Sequence, residues 1–167
     1  MSEQPRFSPR AMLRALSDGG VHFVVIGGLA AQAHGSSSLT GDLDICYQRS
    51  PENLQRLATV LAQLGAFRRG PPEVAAFPLD ARALLSGDVF TLTTVAGVLD
   101  LLGSPDPGMT FESLQANAIE VPVDSVTVLV AGLDDLMAMK RAAGRPKDRI
   151  ELEILGALRE EIDRRRD

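Results

Sequence analysis

The sequence has no tryptophan, one tyrosine and few aromatic residues overall, 4% of the chain. Proteins that hold single-stranded nucleic acid commonly stack bases on aromatic side chains, so such a platform is not expected here. The formal net charge at pH 7 is −5, which argues against a broadly basic surface for nucleic acid. A small local basic groove is compatible with this charge.

Cysteine and long apolar segments are also scarce. The single cysteine, Cys46, cannot form an internal disulfide, which is typical of a protein in a reducing cytosol. We interpret it as a small core residue rather than a reactive thiol. No apolar stretch approaches the ~20 residues of a membrane span, and residues 1–10 lack the apolar core of a signal peptide. We therefore predict a cytoplasmic protein that does not bind membranes.

The composition is that of an ordinary globular protein, with 45% hydrophobic and 23% charged residues. A length of 167 residues is enough for one domain with a substantial core. Segments typical of strands and helices follow one another along the chain. They predict a mixed α/β fold, with a core over about 21–130 and a C-terminal helical part over about 133–163.

Capping residues and hydrophobic periodicity locate most of the elements. Residues 68–72 have the composition of a loop. Helices are predicted to start at Ser8-Pro9 and Ser50-Pro51, and to span Leu79–Leu85 (capped by Asp80), Thr110–Ala116, Leu133 or Asp134 to Ala143, and Pro146 to about Asp163. Strands are predicted at Asp88–Thr94, Val98–Leu102, Ile119–Val123 and Val126–Val130.

The segment from Val21 to Tyr47 has the most informative pattern. Its parts are a buried strand, a glycine pair, a short helix, a loop of small residues and a second strand (Val21–Ile26, Gly27-Gly28, Leu29–His34, 35–41 and Asp42–Tyr47). The glycines allow a sharp turn and a close approach of the backbone to a ligand.

The second strand of this segment carries an Asp-x-Asp pair. Alternation along a strand places Asp42 and Asp44 on one face and Leu43 and Ile45 on the other. Two neighbouring carboxylates raise each other's pKa, and a cation removes this conflict. Oxygen ligands of this kind suit Mg²⁺ or Mn²⁺. Most isolated Asp-x-Asp pairs, however, lie on solvated faces or in turns, so the pair alone leaves both interpretations open.

In this context the segment resembles the nucleotidyltransferase superfamily related to DNA polymerase β. The resemblance is greatest to the bacterial AbiEii-type abortive-infection toxins and their short single-domain relatives. That branch usually has an arginine where this chain has Ser38. The residues that carry the resemblance are Gly27-Gly28, Ala30, His34-Gly35, Thr40 and Asp42-Leu43-Asp44.

Asp100 lies in the centre of an apolar run, Val98–Leu102. A carboxylate in such a run is costly to bury without a partner. It lies either on an exposed edge strand or in the site as a third acid. The resemblance implies the second, because the superfamily places its third carboxylate on the strand beside the Asp-x-Asp strand.

A basic segment, Lys140–Asp148, precedes the last helix. By itself it is equally typical of a solvated helix end. The resemblance implies that Lys140 binds the β- or γ-phosphate of a nucleotide, and that Arg145 and Lys147 reach phosphate or an acceptor. We assign Asp148 a structural role that orients a nearby lysine or arginine.

The resemblance covers about Val21 to Leu155 and implies a single nucleotidyltransferase-like domain, a mixed β-sheet flanked by helices, followed by C-terminal helices. It implies that Mg²⁺ or Mn²⁺ is bound by Asp42, Asp44 and Asp100. Backbone N–H groups at Gly27 and Gly28, helped by Ser36 or a neighbouring serine, would hold the triphosphate.

The implied activity is transfer of NMP from an NTP such as ATP to a hydroxyl group. The acceptor would be tRNA for a toxin, or a partner protein for an antitoxin-type enzyme. Both belong to a toxin–antitoxin or phage-defence setting, in which a cognate toxin or antitoxin partner is expected. The alternative is a catalytically inactive relative that binds a nucleotide or a partner. Ser38, in place of the usual arginine, supports this alternative.

Overall fold

A seven-stranded mixed β-sheet organises the computed structural model, which describes residues 3–167. The strands are β1 (Phe23–Ile26), β2 (Asp42–Tyr47), β3 (Phe67–Arg68), β4 (Val89–Thr94), β5 (Gly97–Leu102), β6 (Ile119–Val123) and β7 (Val126–Val130). Their order across the sheet is β3-β4-β5-β2-β1-β7-β6.

Helices flank this sheet and close the chain at its C-terminal end. In residues 3–167 they are α1 (Pro9–Asp18), α2 (Gly27–Ala33), α3 (Pro51–Gln63), α4 (Pro72–Ala75), α5 (Ala81–Ser86), α6 (Phe111–Asn117), α7 (Leu133–Ala143) and α8 (Pro146–Arg166). The mixed α/β class with C-terminal helices that we expected from the sequence is confirmed. None of these helices is both long and apolar enough to cross a membrane.

Strand β2 occupies the middle of the sheet. It pairs antiparallel with β1 and parallel with β5, while β4 pairs antiparallel with the far side of β5. The register places Asp44 opposite Ile26 on one side and opposite Asp100 on the other. Two acids that are far apart in the sequence are therefore direct neighbours across two strands.

The alternation along β2 separates the core from the opposite face of the sheet. Leu43 and Ile45 are fully buried in a cluster that includes residues of α1 and α3. Asp42 and Asp44, on the other face, are only partly covered. Burial of the leucine and isoleucine fixes the register of the strand, because a slip of one residue would turn both carboxylates into the core.

Helix starts follow the capping residues that the sequence contains. The Ser50 hydroxyl accepts a hydrogen bond of 3.3 Å from the Asn53 N–H at the start of α3. The Asp80 carboxylate accepts one of 2.8 Å from the Ala83 N–H at the start of α5. Both starts were predicted, and each pairs one N–H group that a helix leaves without an intrahelical partner.

Two boundaries in the first part of the chain differ from the prediction. Strand β1 begins at Phe23 rather than Val21, because the Val21 N–H donates to the Leu16 carbonyl and completes the end of α1. Helix α2 begins at Gly27, two residues earlier than predicted, so the glycine pair forms the first turn of the helix rather than a separate turn.

Two further differences lie at α4 and α8. Residues 72–75 form one helical turn where we predicted only a loop, and Pro72 stands at its first position, where proline is favourable. Helix α8 continues to Arg166, beyond the predicted end near Asp163.

Helices α7 and α8 form a hairpin. Gly144 ends α7 in the left-handed conformation, with φ of 62°, and Pro146 is the first residue of α8. Glycine adopts this conformation without the steric cost that a side chain adds. Leu155 of α8 is fully buried in the core. The hairpin thus holds the end of α7 and the start of α8 in fixed positions.

Candidate active site

Three carboxylates converge on the open face of the sheet. Asp42 and Asp44 come from β2, and Asp100 comes from the neighbouring β5. One carboxylate oxygen from each of the three lies within 4.8 Å of the others. The structure thus brings together, on adjacent strands, the three acids that the sequence pointed to.

Gly27 leaves the space into which Asp44 projects. A Cβ atom at Gly27 would overlap the Oδ2 atom of Asp44, and the residue has a φ of +70°. Gly28 is constrained as well, because its Cβ would lie 2.8 Å from the Cβ of Thr40. The glycine pair therefore lets the start of α2 lie directly against the acidic strand.

Thr40 orients the first acid of the pair. Its hydroxyl donates a hydrogen bond of 2.8 Å to Asp42 Oδ1. Thr40 belongs to the residues that carry the sequence resemblance, but its contact with Asp42 became visible only in the structure.

The three acids are electrostatically unfavourable to one another. Burial, together with the neighbouring Asp42 and Asp100, raises the pKa of Asp44 to about 8, although Lys140 opposes the shift. Burial also raises the pKa of Asp100 above its ordinary value. The cluster therefore favours either a bound proton or a bound cation.

The residues fit a divalent metal ion. Asp100 Oδ1 is buried and has no hydrogen-bond partner within residues 3–167, and a buried carboxylate oxygen without a partner is costly. A cation between the three carboxylates would satisfy this oxygen and remove the mutual repulsion. A set made only of carboxylate oxygens suits Mg²⁺ or Mn²⁺.

Two cations, Lys140 and Arg145, line the same cleft as Asp44 and Asp100. Lys140 Nζ lies 3.3 Å from Asp148 Oδ1, and Arg145 Nε lies 2.7 Å from Asp148 Oδ2. The Asp148 side chain is fully buried and also accepts a hydrogen bond from the Arg145 N–H. Hydrogen bonds from Arg145, followed by those from Lys140, lower the pKa of Asp148 to about 2. Asp148 thus orients a lysine and an arginine, the role expected from the sequence.

The cleft between these groups has a volume of about 260 Å³. Asp44 and Asp100 form its floor with Ile26 and Gly27. One wall comes from α7 and the start of α8, and the other from β4, the end of β5 and the loop after it. The wall residues are Leu136, Met139, Lys140, Ala143, Arg145 and Asp148 on the first side, and Val89, Thr91, Leu102 and Pro105 on the second.

The other residues that we proposed for nucleotide binding lie outside this lining. Gly28 packs against Thr40. Ser36 is buried, and its hydroxyl accepts a hydrogen bond of 3.2 Å from the Ser38 N–H. Lys147 is exposed in the first turn of α8.

Sequence reasoning did not identify Val89 and Thr91 as cleft residues. Their strand was predicted, but pairing with β5 is what places Thr91 opposite Asp100 and Val89 opposite Leu102. Alternation along the strand was the signal available, since it assigns both residues to the same face.

Comparison with models of known protein families and with curated protein sequences finds no match. Solved structures that are similar in fold include three of antibiotic-related proteins. The lincosamide antibiotic adenylyltransferase LnuA, with lincomycin bound, has a TM-score of 0.60 and 11% sequence identity, covering 92% of this chain and 99% of that one.

The other two are structures of ANT(2″)-Ia, each with a TM-score of 0.53 and 14% identity. A solution structure of this antibiotic-resistance factor covers 92% of this chain and 88% of its own. A crystal structure in complex with adenylyl-2″-tobramycin covers 93% and 95%. These similarities show that this chain shares the fold of these proteins, and they do not show the resemblance to the abortive-infection toxin branch.

Proposed function

We propose that this protein is a metal-dependent nucleotidyltransferase, which transfers NMP from an NTP to a hydroxyl group. The observation that carries the proposal is the arrangement of the cleft. Asp44 and Asp100, which converge with Asp42, line the cleft together with Lys140 and Arg145. Nucleotidyl transfer requires positive charge at the triphosphate and at the leaving pyrophosphate. In this site, metal ions bound by the acids would provide the first, and the two cations would provide the second.

The carboxylates would hold the metal and the attacking group. Divalent ions bound by Asp42, Asp44 and Asp100 would supply positive charge against the triphosphate. Asp100 lines the cleft opposite Thr91, so its carboxylate would also accept the proton of the attacking hydroxyl.

The wall of the cleft formed by α7 and the start of α8, which we call the basic wall, would bind the leaving group. Lys140 is 24% exposed and lines the cleft, so a phosphate can reach it. Negative charge develops on pyrophosphate as it leaves, and a cation placed there stabilises the transition state more than the ground state. Arg145 would add a second contact from the start of α8.

We retain the remaining predictions for nucleotide contacts as parts of this proposal. Backbone N–H groups at Gly27 and Gly28 would hold phosphate, because both glycines allow the close approach that a bulky residue prevents. Ser36 and Lys147 would contribute only if the nucleotide extends beyond the lining of the cleft.

The similar structures and the sequence resemblance suggest different acceptors for this protein. Two of the similar structures hold lincomycin and adenylyl-2″-tobramycin, which are small antibiotic compounds. The sequence resemblance instead predicts tRNA or a partner protein in a toxin–antitoxin setting. The assay for this protein therefore has to offer lincomycin, tobramycin, tRNA and lysate protein together with each NTP.

The test measures transfer of label from each NTP in the presence of Mg²⁺ or Mn²⁺. Wild type should transfer label, and Asp100→Asn should abolish transfer while keeping some nucleotide binding, since Asp42 and Asp44 remain. If wild type binds NTP but releases no pyrophosphate and labels no acceptor, the inactive alternative replaces this proposal.

Lys140→Ala provides a second, quantitative prediction. It should lower turnover by about 10²-fold, the scale for loss of one electrostatic contact, with a smaller effect on NTP affinity. Arg149→Ala is the matched control, because Arg149 is an exposed cation on α8 outside the cleft lining. Equal turnover for Lys140→Ala and Arg149→Ala would show that the basic segment is only a solvated helix end.

A further inference from the structure

The two walls of the cleft differ sharply in charge. Among the residues that line it, the cations Lys140 and Arg145 both belong to the wall from α7 and α8, together with Asp148, the buried carboxylate that pairs with both. The opposite wall consists of Val89, Thr91, Leu102 and Pro105, which carry no charge. We refer to these four residues as the neutral wall.

The position of the neutral wall follows from the sheet. Thr91 is directly opposite Asp100, and Val89 is opposite Leu102, one strand farther from Asp44. Helix α7 lies on the other side of the acids, where it packs against α2. The basic wall and the neutral wall therefore face each other across Asp44 and Asp100.

The geometry of phosphoryl chemistry assigns a role to each wall. In a displacement at the α-phosphate, the attacking oxygen and the leaving oxygen lie roughly in line on opposite sides of phosphorus. If pyrophosphate leaves toward Lys140, the attacking hydroxyl has to approach from the side of Thr91. The hydroxyl attacks phosphorus, the bond from phosphorus to the pyrophosphate oxygen breaks, and the hydroxyl proton passes to Asp100.

We propose that the neutral wall is the acceptor subsite, and that its substrate is a small, non-anionic hydroxyl compound with an apolar face. This inference rests on the proposed transferase function and deepens it. Val89 is 63% exposed although it is apolar, so it offers an uncovered surface beside the site. Thr91 offers a hydroxyl next to Asp100.

A polyanionic acceptor does not suit this wall. Proteins bind nucleic acid mainly through lysine and arginine contacts with phosphate. The four residues of the neutral wall provide none.

The experiment changes the charge of the neutral wall and records which acceptor is affected. In Val89→Arg a cation is added beside the attacking group. Val95→Arg is the matched control, because Val95 is a similarly exposed valine, 69%, beyond the other end of β4 and outside the cleft lining. Both sites are exposed, so melting temperatures close to that of wild type are expected.

Labelled NTP is offered with three acceptor preparations from one lysate: a small-molecule ultrafiltrate, purified RNA and dialysed protein. We expect a new labelled species in the ultrafiltrate. For this species Val89→Arg should lower kcat/KM by about tenfold, mainly through the KM of the acceptor, while Val95→Arg leaves both parameters unchanged. The KM for NTP should stay the same in both variants.

Label on RNA or protein would overturn the inference while supporting the transferase function. So would Val89→Arg if it strengthened transfer or affected only NTP. Thr91→Val gives a second reading, since it removes the hydroxyl with little change of volume and should also act on acceptor KM. If wild type releases no pyrophosphate with any preparation, the transferase function itself fails, and the inference fails with it.

Discussion

At the scale of single residues, the site depends on a few atoms that fit closely. Asp44 occupies space that only a glycine at position 27 leaves open, and Asp100 retains a buried oxygen that has no partner in the described part of the chain. Thr40 fixes one oxygen of Asp42. A metal ion held by the three acids would account for all of these features, and measurements on single residues can test them.

Gly27→Ala should destabilise the protein by more than about 1 kcal/mol, because alanine at a positive φ is strained and its Cβ would displace Asp44. Gly156→Ala is the control. Gly156 lies within α8, and an added methyl group there would meet open space, so alanine should stabilise by about 0.5–1 kcal/mol. Urea unfolding of both variants measures this difference. Similar effects of the two substitutions would contradict a close fit between Gly27 and Asp44.

The raised pKa of Asp44 predicts how stability depends on pH in metal-free protein. The pKa is about 8 in the folded state, against an ordinary value of 3.8. Between these values the folded protein keeps a proton that the unfolded chain has lost, so stability falls as pH rises from about 4 to about 8.

Asp44→Asn should therefore raise the melting temperature of metal-free protein at pH 8 and abolish the further increase that Mg²⁺ produces in wild type. Glu153→Gln, an exposed acid-to-amide change on α8, should do neither. Thermal melts across this pH range, with and without Mg²⁺, are the measurement. A lower melting temperature of metal-free Asp44→Asn would show that the charged acid is stabilised in the fold by another group.

At the scale of secondary structure elements, the hairpin of α7 and α8 supplies the basic wall. Gly144 allows the chain to turn, and the buried Asp148 joins Lys140 of α7 to Arg145 at the start of α8. Helix α8 buries little of its own surface, since only Asp148 and Leu155 are buried along its length. The contacts at its first turn therefore fix the position of the basic wall.

Asp148→Asn should destabilise the protein by about 2 kcal/mol at neutral pH, because hydrogen bonds from charged groups to a buried acceptor weaken. The pKa of Asp148 is lowered to about 2. Its contribution is therefore complete above the ordinary value near 4 and is lost as pH falls toward 2. Acid unfolding of wild type and Asp148→Asn measures this effect.

The control for this prediction is Asp163→Asn, which alters an exposed ion pair with Arg159 on the same helix. Surface pairs contribute little, so its stability should remain close to that of wild type. If Asp148→Asn unfolds in acid with the same profile as wild type, the ion pairs of Asp148 do not hold the hairpin.

At the scale of the whole molecule, the sheet and the helical hairpin together form one cleft. The floor comes from β2 and β5 in the middle of the sheet, and the walls come from β4 and from α7 and α8. A ligand that spans the cleft would join these parts. A ligand that binds only the folded state stabilises it by mass action.

Mg²⁺ together with an NTP should therefore raise the melting temperature more than either ligand alone. A stabilisation of about 2.7 kcal/mol is expected at a ligand concentration one hundred times Kd. The double variant Asp42→Asn and Asp44→Asn should lose the metal-dependent part of this increase. An equal response of wild type and the double variant would exclude the acidic pair as the ligand set.

The sequence by itself determined the local features of this protein. Alternation predicted that Asp42 and Asp44 share a face, and capping residues predicted the starts of α3 and α5, because these signals depend on neighbours within a few residues. The start of β1 differed from the prediction for a reason that is also local, since the Val21 N–H donates to the Leu16 carbonyl five residues earlier, in the turn that ends α1.

Only the tertiary structure decided which distant residues form the cleft. The side chains at Thr91 and Val89 became cleft residues through pairing of β4 with β5, and Lys140 joined them through packing of α7 against α2. Ser36 and Lys147, which the sequence did not distinguish from the cleft residues, lie outside it. Strand pairing and helix docking join residues that are far apart along the chain. The free energy of these contacts depends on both partners, so the pattern of a short segment does not predict them.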